Sequence, residues 1–250
     1  MIRHFALWVG AFIAVVIASN VAWACDRSTA LAIGPVNIID VETGAVRPDR
    51  ALLLEDGKIL REIPASRMAA LPARIQRFDG QNGYLIPGLT DMHVHALWDP
   101  TVPAPFFHDF LVNGVTGVRD MGGDLELALE VRRQLQNCEM AGPHLWVAGP
   151  FLDGPEPVDP SLSLALANRQ AARRAVRMLH RRGVDFLKVY SMLPPDVLSA
   201  VLDEARKYGL RVVGHVPAVL GPRGPALRMD GMEHLAIETG GLCDAANPSQ

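Results

Sequence analysis

An α/β fold is predicted for this chain, in which a small β module precedes a series of parallel βα units. Two observations lead to this prediction. Residues 30–84 contain short apolar runs separated by turn signals, which is typical of strands joined by tight turns. From Tyr84 onward, short apolar runs alternate with segments whose apolar residues recur at helical spacing. Such alternation is typical of a parallel sheet covered by helices.

The first residues differ in composition from the rest of the chain. A short, weakly basic start, Met1–His4, precedes an apolar run over residues 5–18 and the small-residue pattern Ala22-Trp23-Ala24. This order predicts a signal peptide over residues 1–24 and export to the periplasm or the extracellular space. An uncleaved anchor and a lipid anchor on Cys25 are less favoured, because the run is shorter than the roughly 20 residues of a spanning helix and Trp23 is bulky for a lipoprotein signal.

Composition narrows the class of function. The chain has 250 residues, 49% of them apolar, which is enough to bury a sizeable core. A net charge of −3 without a basic tract gives no electrostatic basis for binding nucleic acid. The three cysteines, Cys25, Cys138 and Cys243, lie far apart and form no recognisable disulfide framework, so their pairing stays open.

The β module is marked by a hairpin signal. Asp56-Gly57 lies between the apolar runs Ala51–Glu55 and Lys58–Ile63. A two-residue Asp-Gly loop requires a positive φ at both positions and is a strong predictor of a hairpin. Residues 30–84 are therefore predicted to form the β module.

The βα series is predicted from six short apolar runs at regular intervals. A closed barrel of this type needs eight such units. The predicted strands are Tyr84–Leu89, Val115–Asp120, Leu145–Ala148, Phe186–Tyr190, Arg211–His215 and Met232–Ala236.

Helices are predicted between these strands. Asp124 is a plausible N-cap for a helix over residues 125–135. Gly183 and Gly209 follow two further helical patterns and are expected to end them. The apolar positions at helical spacing are Ala172, Ala175, Val176 and Leu179 in one helix, and Leu198, Val201, Leu202 and Ala205 in the other.

Four histidines are placed at the ends of predicted strands. His93 and His95 are two residues apart, so on extended backbone their side chains point to the same face. His215 ends the predicted fifth strand, and His234 lies within the predicted sixth strand. Since active sites of parallel barrels lie at the carboxyl ends of the strands, these imidazoles are expected to meet and to bind a divalent metal. Each one alone would be better explained as an ordinary core or surface histidine, and it is the matching positions in successive units that favour a functional site.

Lys188 is unusual because it lies within an apolar strand. By alternation it shares one face with Phe186 and Tyr190. A buried lysine is costly unless it is paired, neutralised or modified. It either reaches the rim and meets a carboxylate such as Asp120, or it is carboxylated by carbon dioxide and binds metal.

The whole ordered set resembles the amidohydrolase superfamily. The motif HVH at the first barrel strand and the later Lys, His and His carry the resemblance, together with the segments "IIDVETG", "LLLEDGKI", "YLIPGLTDMHVH" and "GVTGVRDMGG". These segments are similar to the imidazolonepropionase and Xaa-Pro dipeptidase-like branch. The resemblance runs from about residue 33 to the end of the sequence.

The resemblance implies a fold and a set of site residues. Residues 30–84 would be the N-terminal part of a composite β-sandwich, and residues 85–250 a partial TIM-type (β/α) barrel. His93 and His95 would bind one metal, carboxylated Lys188 would bridge two, and His215 and His234 would hold the second. One or two zinc ions are the expected cofactors. Tyr190 would face the same mouth, where it either contacts substrate or simply packs in the barrel.

Arg119 and Asp120 are interpreted as a structural ion pair, with an orienting role near the site as the alternative. The family also has an aspartate at the end of the eighth strand, which binds metal and moves a proton. This residue is expected beyond the sequence, and so are strands seven and eight. A fragment of a longer enzyme, a truncated product and a degenerate member all stay open.

The predicted function is metal-dependent hydrolysis of a C–N bond, in an amide, peptide or cyclic amide, through a metal-activated water. Two alternatives are an inactive metal-binding remnant and a lactone or ester hydrolase using the same site. A small-molecule or dipeptide-like substrate is expected, with no nucleic-acid partner and no membrane span after signal cleavage.

Overall fold

The computed structural model describes residues 30–98, 103–217, 219–220 and 224–234. The predicted signal peptide, Cys25 and Cys243 lie outside these residues. So does the end of the predicted sixth strand. Within the described part, no helix is both long and apolar enough to cross a membrane.

A four-stranded sheet comes first in the chain. Its strands lie in the order β3-β2-β1-β4, with β1 antiparallel to β2 and parallel to β4. Asp56 and Gly57 both have positive φ, which confirms the predicted hairpin between β2 and β3. A small core of five buried residues lies against this sheet: Ala32, Ala51, Leu53, Ile63 and Ile75. The strands are β1 (Leu31–Ile39), β2 (Val46–Glu55), β3 (Lys58–Pro64) and β4 (Gln76–Leu85), with a 3₁₀ helix at Ala65–Ala70.

The βα series follows. Its strands are β5 (Leu89–Val94), β6 (Val115–Asp120), β7 (His144–Val147), β8 (Phe151–Asp153), β9 (Ser163–Ala165), β10 (Phe186–Val189), β11 (Arg211–Gly214) and β12 (Gly231–Met232). Its helices are α1 (Pro103–Val112), α2 (Leu125–Gln136), α3 (Arg169–Arg182) and α4 (Pro195–Lys207), and a second 3₁₀ helix spans Gly224–Arg228.

The strands of this series form two parallel sheets. One has the order β5-β6-β7 and the other β12-β11-β10-β8-β9. A backbone hydrogen bond from Asp185 N to Val147 O (2.9 Å) links the start of β10 to the end of β7. The arrangement is that of a partial TIM-like fold, and no closed barrel is formed by the residues that the structure describes.

The predicted first strand of the series is wrong by about five residues. Tyr84 and Leu85 belong to β4, where they pair with Asn37 and Ile38 of β1. The first strand of the series is β5, so His93 lies inside a strand and does not follow one. The prediction took one apolar run as one strand, whereas the chain leaves the first sheet near Pro87-Gly88 and enters the second.

The two faces of β10 have different surroundings, as alternation predicts. Leu187 and Val189 are buried among α3 and α4, while Phe186 belongs to a separate inner cluster with Met121 and Val213. The predicted helix ends are confirmed as well. Asp124 caps α2 by accepting a hydrogen bond from Leu127 N (2.8 Å), and Gly183 ends α3 with φ of 77°.

Candidate metal centre

The strand ends bring the predicted site residues together. His93 lies in β5, and His95 is the first residue after this strand ends. Lys188 lies in β10, and Tyr190 directly after it. His215 and His234 follow β11 and β12. Residues up to 141 positions apart in sequence therefore share one location, because parallel strands present their carboxyl ends at the same edge.

Six aromatic side chains form a closed ring at this edge. Each ring is 4.2–6.0 Å from the next, measured between centroids. The order around the ring is His93, His95, Phe151, Tyr190, His215, His234 and back to His93. Trp98 stacks on the outside of His95 at 4.2 Å.

Lys188 is the buried cation of this cluster. It is only 1% exposed, and its Nζ lies 6.0 Å from the centroid of the Tyr190 ring. Its positive charge contributes to lowering the pKa of three histidines, His93, His95 and His215. The charge of Lys188 therefore acts on imidazoles that come from two different strands, β5 and β11.

The ring nitrogens of three histidines have protein partners. His93 Nδ1 lies 2.7 Å from Glu233 Oε2, and His95 Nδ1 donates to Gly122 O at 3.3 Å. In both cases an acceptor faces Nδ1, which leaves the Nε2 lone pair for another ligand. His215 Nδ1 lies 3.0 Å from the Ser191 hydroxyl, which can donate or accept.

Burial controls the ionisation of this cluster. It lowers the pKa of His95 and of His215 to about 4, with smaller contributions from Lys188 and neighbouring histidines. Burial also lowers the pKa of His93, against the opposing effect of its hydrogen bond to Glu233. The imidazoles of His93, His95 and His215 are consequently neutral at pH 7, which is the form that binds a metal ion.

Arg119 and Asp120 do not pair with each other, so the predicted ion pair is wrong. The Arg119 side chain makes two hydrogen bonds. Its Nη2 donates to Glu233 Oε1 at 2.5 Å, and its Nε donates to Met92 O at 2.7 Å. Its guanidinium also lies 5.2 Å from the centroid of the Phe186 ring. Consecutive residues of a strand face opposite sides, which is why Asp120 cannot reach the same partners.

Asp120 is buried on the other side of β6. It is 1% exposed, and neither carboxylate oxygen has a hydrogen-bonding partner among the residues that the structure describes. Burial raises its pKa to about 7; the nearby backbone amides of Gly122 and Ala96 act in the opposite direction without forming well-aligned hydrogen bonds. Asp120 is therefore not the carboxylate that Lys188 meets.

Two glycines permit the close approach of the strand ends. A Cβ on Gly122 would lie 2.1 Å from the Phe151 ring, and a Cβ on Gly214 would lie 2.1 Å from Val189 O. Both residues also have positive φ (138° and 140°), which other residue types rarely adopt. His234 has a φ of 55°, and strained backbone of this kind in a non-glycine residue is frequent at functional sites.

The donor chemistry suits a divalent transition metal such as zinc, because neutral imidazole nitrogens are among its preferred ligands. The described side chains do not, however, form a complete coordination sphere. Within the described ranges, no group of three or more His, Cys, Asp or Glu side chains is arranged to hold a metal ion. The cluster thus provides suitable donors around Lys188 and not a formed metal centre.

Sequence reasoning missed four residues of this site: Trp98, Phe151, Ser191 and Glu233. Glu233 had a signal, since it is an acidic residue next to a histidine at a predicted strand end. Phe151 had none, because it belongs to the short extra strand β8, which the predicted βα alternation did not include.

Comparisons with known proteins agree with this architecture. The sequence profile of the Amidohydrolase family matches residues 84–225, which is more than half of the chain. Profiles of this family describe enzymes that usually use divalent metals. No curated protein matches the sequence.

Several solved structures have a similar fold. The chain is 28% identical to bottromycin amidohydrolase, with a TM-score of 0.69 over 85% of this chain and 44% of that one. A protein from Bifidobacterium longum described as a prolidase has 22% identity and a TM-score of 0.70 (83% and 54% covered). An Xaa-Pro dipeptidase with bound methionine has 18% identity and a TM-score of 0.64 (82% and 61% covered).

This chain spans about half the length of those structures. The profile match covers the strands that carry His93, His95, Lys188 and His215. On the strength of that match, the chain belongs to the amidohydrolase family.

Proposed function

We propose that the chain supplies the metal ligands of a metal-dependent hydrolase that cleaves a C–N bond in an amide, peptide or cyclic amide. One observation carries the proposal: four histidines from three strand ends lie in one closed set of aromatic contacts, and the buried Lys188 lies 6.0 Å from Tyr190 of that set. Membership of the amidohydrolase family supports the hydrolytic class.

The proposed ligands are those predicted from the sequence. His93 and His95 would hold one divalent ion, and His215 and His234 a second. Zinc is the proposed metal, since imidazole nitrogen suits it. When bound, such a metal supplies a water of lowered pKa and polarises the scissile carbonyl.

Lys188 is proposed to act as a carbamate that bridges the two ions. Its neutral amine would attack carbon dioxide, an N–C bond would form, and a proton would leave to solvent. The product is an anion in place of a buried cation. Three neighbouring imidazoles whose pKa is lowered would then face a negative and not a positive group.

A dipeptide or N-acyl amino acid is the proposed substrate class. One structural neighbour is an Xaa-Pro dipeptidase with methionine in its active site, and another is a bottromycin amidohydrolase. Two aromatic side chains, exposed Trp98 on the outside of the ring and half-buried Tyr190 within it, are the proposed contacts for an apolar substrate side chain.

The activity is proposed for a protein that also supplies the proton-transferring aspartate expected beyond this sequence. Loss of a general acid or base lowers rates by about 10²–10⁴-fold. A chain without that aspartate would still bind metal through the ligands named above.

The test is metal analysis of the purified chain after reconstitution with zinc or manganese, followed by assays on dipeptides, N-acyl amino acids and lactones. We expect one or two ions per chain, lost in His93→Ala and His215→Ala and halved in Lys188→Met. His108→Ala and Lys58→Met, at exposed positions, are the matched controls. Hydrolysis that a chelator abolishes and zinc restores would support the function, whereas a wild-type chain that retains no metal would refute it.

We also propose that residues 1–24 are a cleaved signal peptide and that the chain is exported. The basic start, apolar run and Ala22-Trp23-Ala24 pattern support this proposal. Residues 30–84 are proposed as one part of a composite β-sandwich and residues 85–250 as a partial barrel. Amino-terminal sequencing of the exported protein should begin at Cys25.

A further inference from the structure

Glu233 connects three strands that are distant in sequence. Its carboxylate is 11% exposed and lies between His93 of β5 (2.7 Å) and Arg119 of β6 (2.5 Å). Its own backbone N–H donates to Gly214 O (2.9 Å), which fixes it at the end of β11. The two oxygens of one carboxylate are thus used by two different strands.

Arg119 is itself held in place. Its Nε donates to Met92 O, the residue before His93, and its guanidinium faces the Phe186 ring at the start of β10. The position of the Glu233 carboxylate is therefore set from two sides. This matters because β5 and β12 lie in different sheets and share no ladder among the described strands.

An ionised carboxylate can only accept hydrogen bonds. At 2.7 Å from Glu233 Oε2, His93 Nδ1 must therefore carry the proton, and the lone pair is on Nε2. Carboxylates that accept from the second nitrogen of a metal-binding histidine fix its tautomer and ring orientation, and their loss typically weakens metal binding by about 10–100-fold.

We propose that Glu233 is a positioning residue of the metal centre, which holds His93 with Nε2 directed to the metal and joins β5 to the end of β12. The inference rests on the proposed function, because it assigns His93 as a ligand. Glu233 itself lies beside His234, so one short segment would supply a metal ligand and the orienting partner of another.

The first test needs no metal and no substitution of Glu233. Long-range ¹H–¹⁵N NMR spectra of the full metal-free chain report which imidazole nitrogen carries the proton, and the signals of His93 are those lost in His93→Asn. We expect protonation at Nδ1. Protonation of His93 at Nε2 would overturn the proposal.

The second test measures zinc and cobalt affinity by competition with a chromophoric chelator. We expect Glu233→Leu to weaken binding about 10–100-fold and to mix the tautomers of His93. Glu233→Gln retains an acceptor, so it should keep the Nδ1–H tautomer and lose less affinity. Glu126→Leu and Glu126→Gln, which remove an exposed carboxylate paired with Arg182, are the matched controls and should bind as wild type does.

The outcomes separate the two proposals. If the wild-type chain takes up no metal, the proposed function fails, while the tautomer of His93 still reports on the contact with Glu233. If the wild-type chain binds metal and folded Glu233→Leu binds it equally well, the positioning role fails and the function stands. Should Glu233→Leu not fold, unchanged affinity in Glu233→Gln together with an altered tautomer would contradict the role.

Discussion

The N-terminal sheet and the βα series bury their side chains very differently. The sheet has a core of five buried apolar residues and leaves large apolar side chains in solvent, with Leu60 60% and Tyr84 71% exposed. The βα series buries a much larger apolar cluster around Leu187 and Leu198, and it buries charged groups as well, including Lys188 and Asp120.

The difference teaches where this molecule can tolerate unfavourable burial. Taking a charged group out of water costs several kcal/mol, and only a well-packed surrounding structure can hold it there. The βα series has that packing and carries the candidate site. Substitutions of the same kind are therefore expected to have large effects in the series and small effects in the sheet.

The largest effect is expected from truncating the core beneath the site. Leu187→Ala removes a fully buried side chain between β10 and the helices, next to Lys188, and should lower the free energy of unfolding by about 2–5 kcal/mol. Leu60→Ala, the same change on the exposed sheet, should cost less than about 0.5 kcal/mol. Urea unfolding followed by circular dichroism measures both, and equal losses would contradict the comparison.

The second-largest effect is expected from Asp120. Its carboxyl should lower the free energy of unfolding by on the order of 3 kcal/mol between pH 5 and pH 8.5. The pKa of its carboxyl is raised from 3.8 to about 7 by burial, so a bound proton stabilises the folded state. This stabilisation is fully present below pH 3.8 and is lost as the pH rises through about 7. Asp120→Asn should abolish this part of the pH dependence.

Urea unfolding at pH 5 and pH 8.5 tests this prediction. His95 and His215 act in the opposite direction, because their pKa is lowered to about 4 and their contribution is lost as the pH falls from 6.5. The difference between wild type and Asp120→Asn at each pH isolates the carboxyl. Asp49→Asn in the sheet is the control and should change the free energy of unfolding by less than about 0.5 kcal/mol at either pH. A constant difference for Asp120→Asn would argue against a raised pKa.

The smallest effect on stability is expected from the stacking of Tyr190 within the ring of six aromatic side chains. Tyr190 stacks between Phe151 (4.7 Å) and His215 (4.2 Å), and such contacts are worth about 0.5–1.5 kcal/mol beyond area burial. Tyr190→Leu should lose this amount, Tyr190→Phe should retain it, and Tyr84→Leu on the exposed sheet should change little. Thermal unfolding of the three variants distinguishes them. A loss for Tyr190→Phe equal to that for Tyr190→Leu would point to the hydroxyl instead of the stacked ring.

Much of the local structure could be predicted from residue chemistry. Asp56-Gly57 predicted its hairpin, Asp124 its helix cap and Gly183 its helix end, because each depends on interactions between near neighbours. The first strand of the series was misplaced, since an apolar run does not show where the chain passes from one sheet to another.

The candidate site also has a part that could be predicted from the sequence and a part that could not. The spacing of His93 and His95, and the strand-end positions of Lys188, His215 and His234, predicted that these residues would meet. The partners of those residues were not predictable. Arg119 was expected to pair with its neighbour Asp120, yet it pairs with Glu233, which lies 114 residues away in the chain.

The sequence by itself therefore indicated most of the strand and helix pattern, the family and the histidines and lysine that meet at the strand ends, because alternation and local turn chemistry act over a few residues. Tertiary structure alone decided that the carboxylate of Glu233 contacts His93, that Asp120 has no hydrogen-bonding partner in the described part of the chain and that Phe151 completes the ring of aromatic contacts. Those outcomes depend on which faces of distant strands meet, and only the packed fold brings such faces together.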